Sequence, residues 1–171
     1  STWKGAKSAL EQLSIDFPND GQVALLNANV RVHEKNFAGS LDFLERCLAD
    51  ADMHIELFSQ VTLQTFELMS GKTDWDKAYA FLQKAVAAFP KEPRFVAMQG
   101  DLWMSISKFQ EGQKSYLKAA RNGGGKFEVW TRIIQLDFEM NTLDSVIVHA
   151  QEALEAYPNQ GFLWFQMGFA Q

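Results

Sequence analysis

Cysteine is nearly absent from this chain: Cys47 stands alone among 171 residues. A single thiol cannot close an internal disulfide, and no CxxC or Cys/His spacing offers zinc a ligand set. Proline and glycine are also scarce, at four and eleven residues, which excludes a collagen-like or low-complexity disordered chain. Long apolar runs are missing. The longest, such as Ala85–Pro90, fall far short of the ~20 residues that span a bilayer, so no membrane insertion by this segment is expected. No charged-then-apolar leader opens it, and nothing separates a cytoplasmic from a periplasmic setting. A large excess of positive charge is missing too. The net charge of −5 has the wrong sign for phosphate, because non-specific nucleic-acid binding runs on Lys and Arg displacing counterions. Nucleic acid is therefore not an expected partner.

What the chain does have is a period. Ala85, Ala119 and Ala153 are spaced 34 residues apart, as are Leu82, Tyr116 and Ala150. Trp75, Phe109 and Leu143 keep the same step, and so do Val96, Trp130 and Trp164, and Pro90, Gly124 and Pro158. Upstream, Leu13 pairs with Cys47 and Pro18 with Asp52, while the step from Cys47 to Ala85 is 38, four residues longer. Fixed periods of this length mark stacked repeats.

Inside each period the apolar residues recur at helical spacing. Trp75, Ala78, Phe81, Leu82, Ala85, Val86 and Phe89 fall on one face, and Leu143, Val146, Ile147, Ala150, Ala153, Leu154 and Tyr157 repeat it. Breakers (Pro18, Gly71, Pro90, Pro93, Gly123 to Gly125, Pro158) fall between such stretches. Asp20, Asn36, Asp74, Asn141 and Asn159 sit near helix starts, where a short side-chain oxygen can accept a free backbone N–H. The pattern predicts ten helices, at about 3–17, 20–34, 37–51, 53–70, 74–89, 92–106, 109–121, 126–140, 143–157 and 160–171. Short connections make neighbours antiparallel.

The chain resembles the tetratricopeptide repeat (TPR) family, whose 34-residue pattern is W-x2-L-G-x2-Y, then Ala-x3-Phe, Ala and Pro. Trp164-x2-Met167-Gly168-x2-Gln171 matches the opening, Val96-x2-Gln99-Gly100-x2-Trp103 matches it in part, and Trp130-x2-Ile133-Ile134-x2-Asp137 more loosely. Ala78-x3-Leu82-x2-Ala85-x4-Pro90, Val146-x3-Ala150-x2-Ala153-x4-Pro158 and Ala6-x3-Leu10-x2-Leu13-x4-Pro18 match the second half. The resemblance covers the whole chain. It implies an all-α solenoid of antiparallel helix pairs in a right-handed superhelix. Small residues at Gly100 and Gly168 would let paired helices approach closely, and Ala85, Ala119 and Ala153 should be buried.

The repeats divide residues 1–171, read as a single TPR-like repeat domain, into the second helix of one repeat (1–19), repeats at about 20–52, 53–92, 93–126 and 127–160, and the first helix of a further repeat (161–171). The 20–52 repeat departs from the pattern at Ala24, Asn27 and Ala28 and ends in Asp52. The next carries the four extra residues, expected around Met53–Glu56 and Ser70–Thr73, with a lengthened first helix. Both ends read as cut from a longer protein.

Residues able to carry chemistry are scattered. His33, His54 and His149 form no i, i+4 pair and read as surface or turn histidines. Cys47 falls in the alanine column and reads as a small buried hydrophobe. Gly123-Gly124-Gly125-Lys126 is followed by Phe127 and lacks the GxxxxGK[ST] pattern, so it reads as a turn. The acidic groups Asp50–Asp52 and Asp137–Glu139 read as solvated faces. No Ser/His/Asp or Cys/His constellation is visible, so the expectation is no enzyme, no cofactor, no metal and no catalytic residue.

In similar proteins the first helix of each repeat lines a concave groove. Carried over by position, the groove residues are Gln22, Leu25, Asn29 and Val32, then Arg94, Ala97, Asp101 and Met104, then Glu128, Thr131, Gln135 and Phe138, with Phe162, Phe165 and Phe169 on the last helix. This mixed surface suits an extended peptide or a helix laid into it. A subgroup of the family grips the acidic tail of heat-shock chaperones with Lys and Asn. Asn29 matches one position, but Leu25 and Glu128 stand where lysines are needed, which disfavours that ligand.

The expected function is a non-catalytic protein–protein interaction scaffold. Its rivals are a structural spacer in a larger, bacterial-envelope type of assembly, a regulatory repeat arm, and, weakest for want of basic charge, an RNA-binding repeat. The helix at Gln160–Gln171 is apolar on nearly every side, which predicts self-association or cover by another helix.

Overall fold

The computed structural model describes residues 2–124 and 126–171, with the side chains of 5–122 and 126–171. Ser1 and Gly125, the third residue of the glycine run, lie outside the described residues. Among the described residues ten α-helices follow one another: α1 (Thr2–Asp16), α2 (Gly21–His33), α3 (Phe37–Cys47), α4 (Ile55–Phe66), α5 (Gly71–Ala88), α6 (Pro93–Ser105), α7 (Phe109–Ala119), α8 (Phe127–Glu139), α9 (Leu143–Ala156) and α10 (Gly161–Ala170). A π-helical turn at Ala120–Gly124 follows α7. The fold is an all-α solenoid of TPR-like helix pairs, as the 34-residue register predicts.

Helix starts follow side-chain chemistry. Asp20 accepts from the Val23 N–H at 2.9 Å and Asn36 from the Gly39 N–H at 2.9 Å. Glu92 caps α6, whose first residue is Pro93, a position that needs no donor. Asp74 reaches back to accept from the Ser70 N–H instead of capping. Asn141 takes the left-handed conformation in the α8–α9 turn, at φ 56°, while Lys35 (55°) and Ser107 (59°) do the same in the α2–α3 and α6–α7 turns. One turn geometry thus serves three repeats, whichever residue stands there.

The four-residue insertion falls at the second of the two expected places, but it lengthens the second helix of the repeat instead of the first. The first helix of that repeat, α4, is ordinary at 12 residues, and its partner α5 is the long one at 18. Gly71–Asp74 add about one turn of helix ahead of Trp75, which keeps the register of Phe109 and Leu143. Gly71 enters that turn at φ +78°, open to glycine and strained for L side chains. The stretch expected to be helical to residue 51 breaks after Cys47 into a turn, where the Asp50 carboxylate accepts from the Asp52 N–H.

The chain forms two compact units, Ser1–Phe89 and Pro90–Gln171. In the first, α2 and α3 bury Leu25, Ala28, Leu41, Leu44 and Cys47, while α4 and α5 meet through phenylalanine rings: Phe58 on Phe81 at 6.2 Å and Phe66 on Phe81 at 6.3 Å. In the second, one core collects Tyr116, Trp130, Ile133, Ile134, Val146, Ala150, Ala153 and Leu163. Ala85, Ala119 and Ala153 are buried, as their column requires.

Size is traded across each helix pair. Gly100 lies against Tyr116, so closely that a Cβ there would sit 2.6 Å from Cε1. One repeat later the same two columns hold Ile134 and Ala150, and in the first unit Ala28 and Leu44, all fully buried. Gly168 differs from the expectation for its column, because nothing lies within 4 Å of its would-be Cβ. α10 packs on α9 and meets α8 through Phe169 on Phe138.

Candidate protein-binding face and a buried polar hub

The groove positions from the sequence fall on α2 in the first unit and on α6, α8 and α10 in the second. On α2, Gln22 is exposed and Asn29 and Val32 are half-buried, but Leu25 is fully buried. Leu25 is therefore a core residue and leaves the groove set. It lies on the same face as the buried Gly21, Ala24 and Ala28, so its side chain is turned into the α2–α3 core.

In the second unit the first helices of successive repeats are neighbours. Arg132 on α8 pairs with Asp101 on α6 at 3.4 Å, and Phe138 on α8 meets Phe169 on α10 edge-on at 5.8 Å. Asp101 also accepts from the Tyr116 hydroxyl at 2.6 Å, and burial, then Asp101, push that phenol well above its ordinary value. Arg94 donates to Glu92 at 2.8 Å. Met104 and Thr131 are half-buried, while Glu128 and Gln135 are exposed.

The aromatic residues gather at one end of this face. Phe165 stacks on Phe169 at 6.4 Å, and Phe169 in turn touches Phe138. Phe165 and Phe169 are 68% and 70% exposed. Phe162 points the other way along α10, edge-on to Phe127 at 6.1 Å, and is half-buried. Trp164 is also exposed, with its indole N–H 3.5 Å from the Pro158 carbonyl.

One constellation is absent from the sequence expectations. Asp137, expected on a solvated acidic face, is fully buried, and His149, expected at the surface, is its partner. The Asp137 carboxylate accepts from Gln113 Nε2 at 2.7 Å and from Thr142 Oγ1 at 3.3 Å, and its other oxygen lies 2.6 Å from His149 Nδ1. The Asp137 backbone carbonyl takes the Thr142 N–H at 2.8 Å. The hub ties α7, α8, the α8–α9 turn and α9 together. Burial without bonds would cost a carboxylate several kcal/mol, so such a group persists only when it is satisfied. In the register Asp137 shares its column with the half-buried Trp103 of the preceding repeat.

The other singled-out residues are local. The Cys47 thiol is fully buried, with Sγ 3.3 Å from the Phe43 carbonyl, and burial, then Asp50, push it up to about 12. Asp50 packs on Gly21 and closes a turn instead of forming a solvated helix face. His33 and His54 are both exposed, each at a helix end. Among the described residues no three His, Cys, Asp or Glu side chains converge as a metal site would need, and no helix is long and apolar enough to cross a membrane.

Comparison with known proteins gives fold neighbours only. No family model matches the chain, and no curated protein does. Among solved structures, the crystal structure of MamA protein superposes with a TM-score of 0.59 at 12% identity, over 88% of this chain and 80% of the other. MamA AMB-1 gives 0.56 at 16% identity over the same shares. A thermophilic TPR protein of Thermus thermophilus gives 0.55 at 15% identity over 98% of this chain and 90% of the other. At such identities the likeness establishes the TPR-like repeat fold and nothing finer.

Proposed function

We propose that this TPR-like chain is a non-catalytic protein-interaction scaffold, binding a peptide or helix of a partner protein on the face built by α6, α8 and α10. The observation that carries the reading is the aromatic row Phe138–Phe169–Phe165, two of whose rings stand mostly in water. Covering a large apolar side chain is worth ~1.5–3 kcal/mol, so two such rings supply a substantial part of the ~8 kcal/mol of a micromolar complex. Exposed large apolar clusters of this kind mark interaction surfaces. Gln135, Thr131 and Glu128 flank the row with the mixed hydrogen-bonding groups that a peptide backbone needs. The His149–Asp137 pair braces helices, which supports a role without catalysis.

The test is affinity capture with the full-length protein, comparing wild type with the Phe165→Ser/Phe169→Ser variant by quantitative mass spectrometry. A partner enriched on wild type and lost on the variant is the expected result. Identical enrichment on both baits would sink the reading and leave a spacer that binds nothing transient on this face. Self-association through α10 is read in the same samples by light scattering.

A further inference from the structure

We infer that the second unit carries a receptor pocket for an aromatic side chain, Phe or Tyr, supplied by the partner; this rests on the scaffold reading above and names the chemistry it would recognise. A cavity of about 320 Å³ lies between α6 and α8, above the end of α7. Pro93, Ala97, Ala119 and Val129 form its apolar floor, and Lys126 and Glu128 stand at its rim.

The repeat itself says what such a cleft holds. One period later, the equivalent place between α8 and α10 is closed by three rings of the chain: Phe127 meets Tyr157 edge-on at 5.7 Å and Phe162 at 6.1 Å. Subtracting one 34-residue period turns Phe127, Tyr157 and Phe162 into Pro93, Gly123 and Glu128. Thr131 and Leu163 become the smaller Ala97 and Val129. The scaffold around the cleft is retained while the rings that fill it are not. The cleft is therefore left open, roomy enough for a ring, over a floor of short side chains. Arg94, also at the cavity and paired with Glu92 at 2.8 Å, and Lys126 bring cationic groups to it, which the negative face of an aromatic ring attracts at up to ~6 Å. An aliphatic side chain would fill the floor without using those cations.

The experiment uses the full chain and N-acetyl-phenylalanine N-methylamide as probe, with the leucine and glycine counterparts as controls. Binding is read from the methyl resonances of Ala97, Ala119 and Val129. Saturable shifts are expected with the phenylalanine probe, weaker ones with leucine and none with glycine. Glu128→Phe, which copies Phe162, and Ala97→Leu, which fills the floor, should each weaken the probe at least about tenfold, the ratio that corresponds to ~1.4 kcal/mol. Circular dichroism confirms that both variants fold. No saturable shift in wild type, equal binding of the leucine and phenylalanine probes, or unchanged affinity in both variants would overturn the pocket. The two readings fail separately. A captured partner that is lost with Phe165→Ser/Phe169→Ser, yet retained by both pocket variants, leaves the scaffold standing and removes the pocket. A probe that binds while no partner is ever captured does the reverse.

Discussion

Replacing Gly100 by alanine adds one methyl group at a close helix contact in the second unit. The new Cβ would lie 2.6 Å from Tyr116 Cε1, 2.7 Å from Cδ1 and 2.9 Å from Cζ. The ring has little room to retreat: Tyr116 is fully buried in the core, and its hydroxyl is tied to Asp101 at 2.6 Å. Overpacking of this kind costs ~1–3 kcal/mol, while alanine in a helix interior gains up to ~1 kcal/mol over glycine. The expected net loss is ~1–2 kcal/mol, read as a lower urea midpoint by circular dichroism. Gly168→Ala, the same change in the same column, meets nothing within 4 Å and should stabilise by up to ~1 kcal/mol. Gly100→Ala in a Tyr116→Leu background recreates the Ala28/Leu44 pairing of the first unit and should lose most of its penalty. A Gly100→Ala variant as stable as Gly168→Ala would refute the size-trading account of how these pairs pack.

Three further outcomes are expected. Asp137→Ala removes the acceptor shared by Gln113, Thr142 and His149 and should destabilise the protein by ~1–3 kcal/mol; a change below ~0.5 kcal/mol in denaturant titration would contradict the hub. Cys47 keeps its proton up to about 12 in the folded chain against an ordinary 9.0. Between those values only the unfolded thiol ionises, so the contribution of this group to stability is full below the ordinary value and declines as pH rises from 9.0 towards 12; native protein should also resist a disulfide-exchange reagent that labels it at once in denaturant. Ser107→Gly and Lys35→Gly relieve left-handed conformations at φ 59° and 55° and should each raise stability by ~0.5–1 kcal/mol, with Asn141→Gly closer to neutral; a loss at both positions would show that those side chains hold the turns.

The fold was legible because its information is redundant. Columns such as Ala85, Ala119 and Ala153 repeat one packing requirement three times, and all three are buried. Single-copy features were less legible. Four extra residues signalled an insertion, but only the helix register put it ahead of Trp75, because a turn added to either helix changes the period alike. Leu25 has the position of a groove residue, yet its side chain serves the α2–α3 core. Asp137 was hidden for another reason. Charge suggests solvent, and its partners Gln113 and His149 lie 24 and 12 residues away, so no local pattern announces them. The cavity at Ala97 shows in sequence only as missing rings, visible once the next repeat shows which rings belong there.

Partners, on this account, meet the first-helix face of the second unit. The most direct measurement places a photo-cross-linking phenylalanine analogue at Phe165 on α10, and separately at the exposed Gln151 on the second helix α9, in the full-length protein. Adducts to another protein or to a second copy from position 165, with none from position 151, are the predicted result. Adducts from position 151 alone would contradict the account.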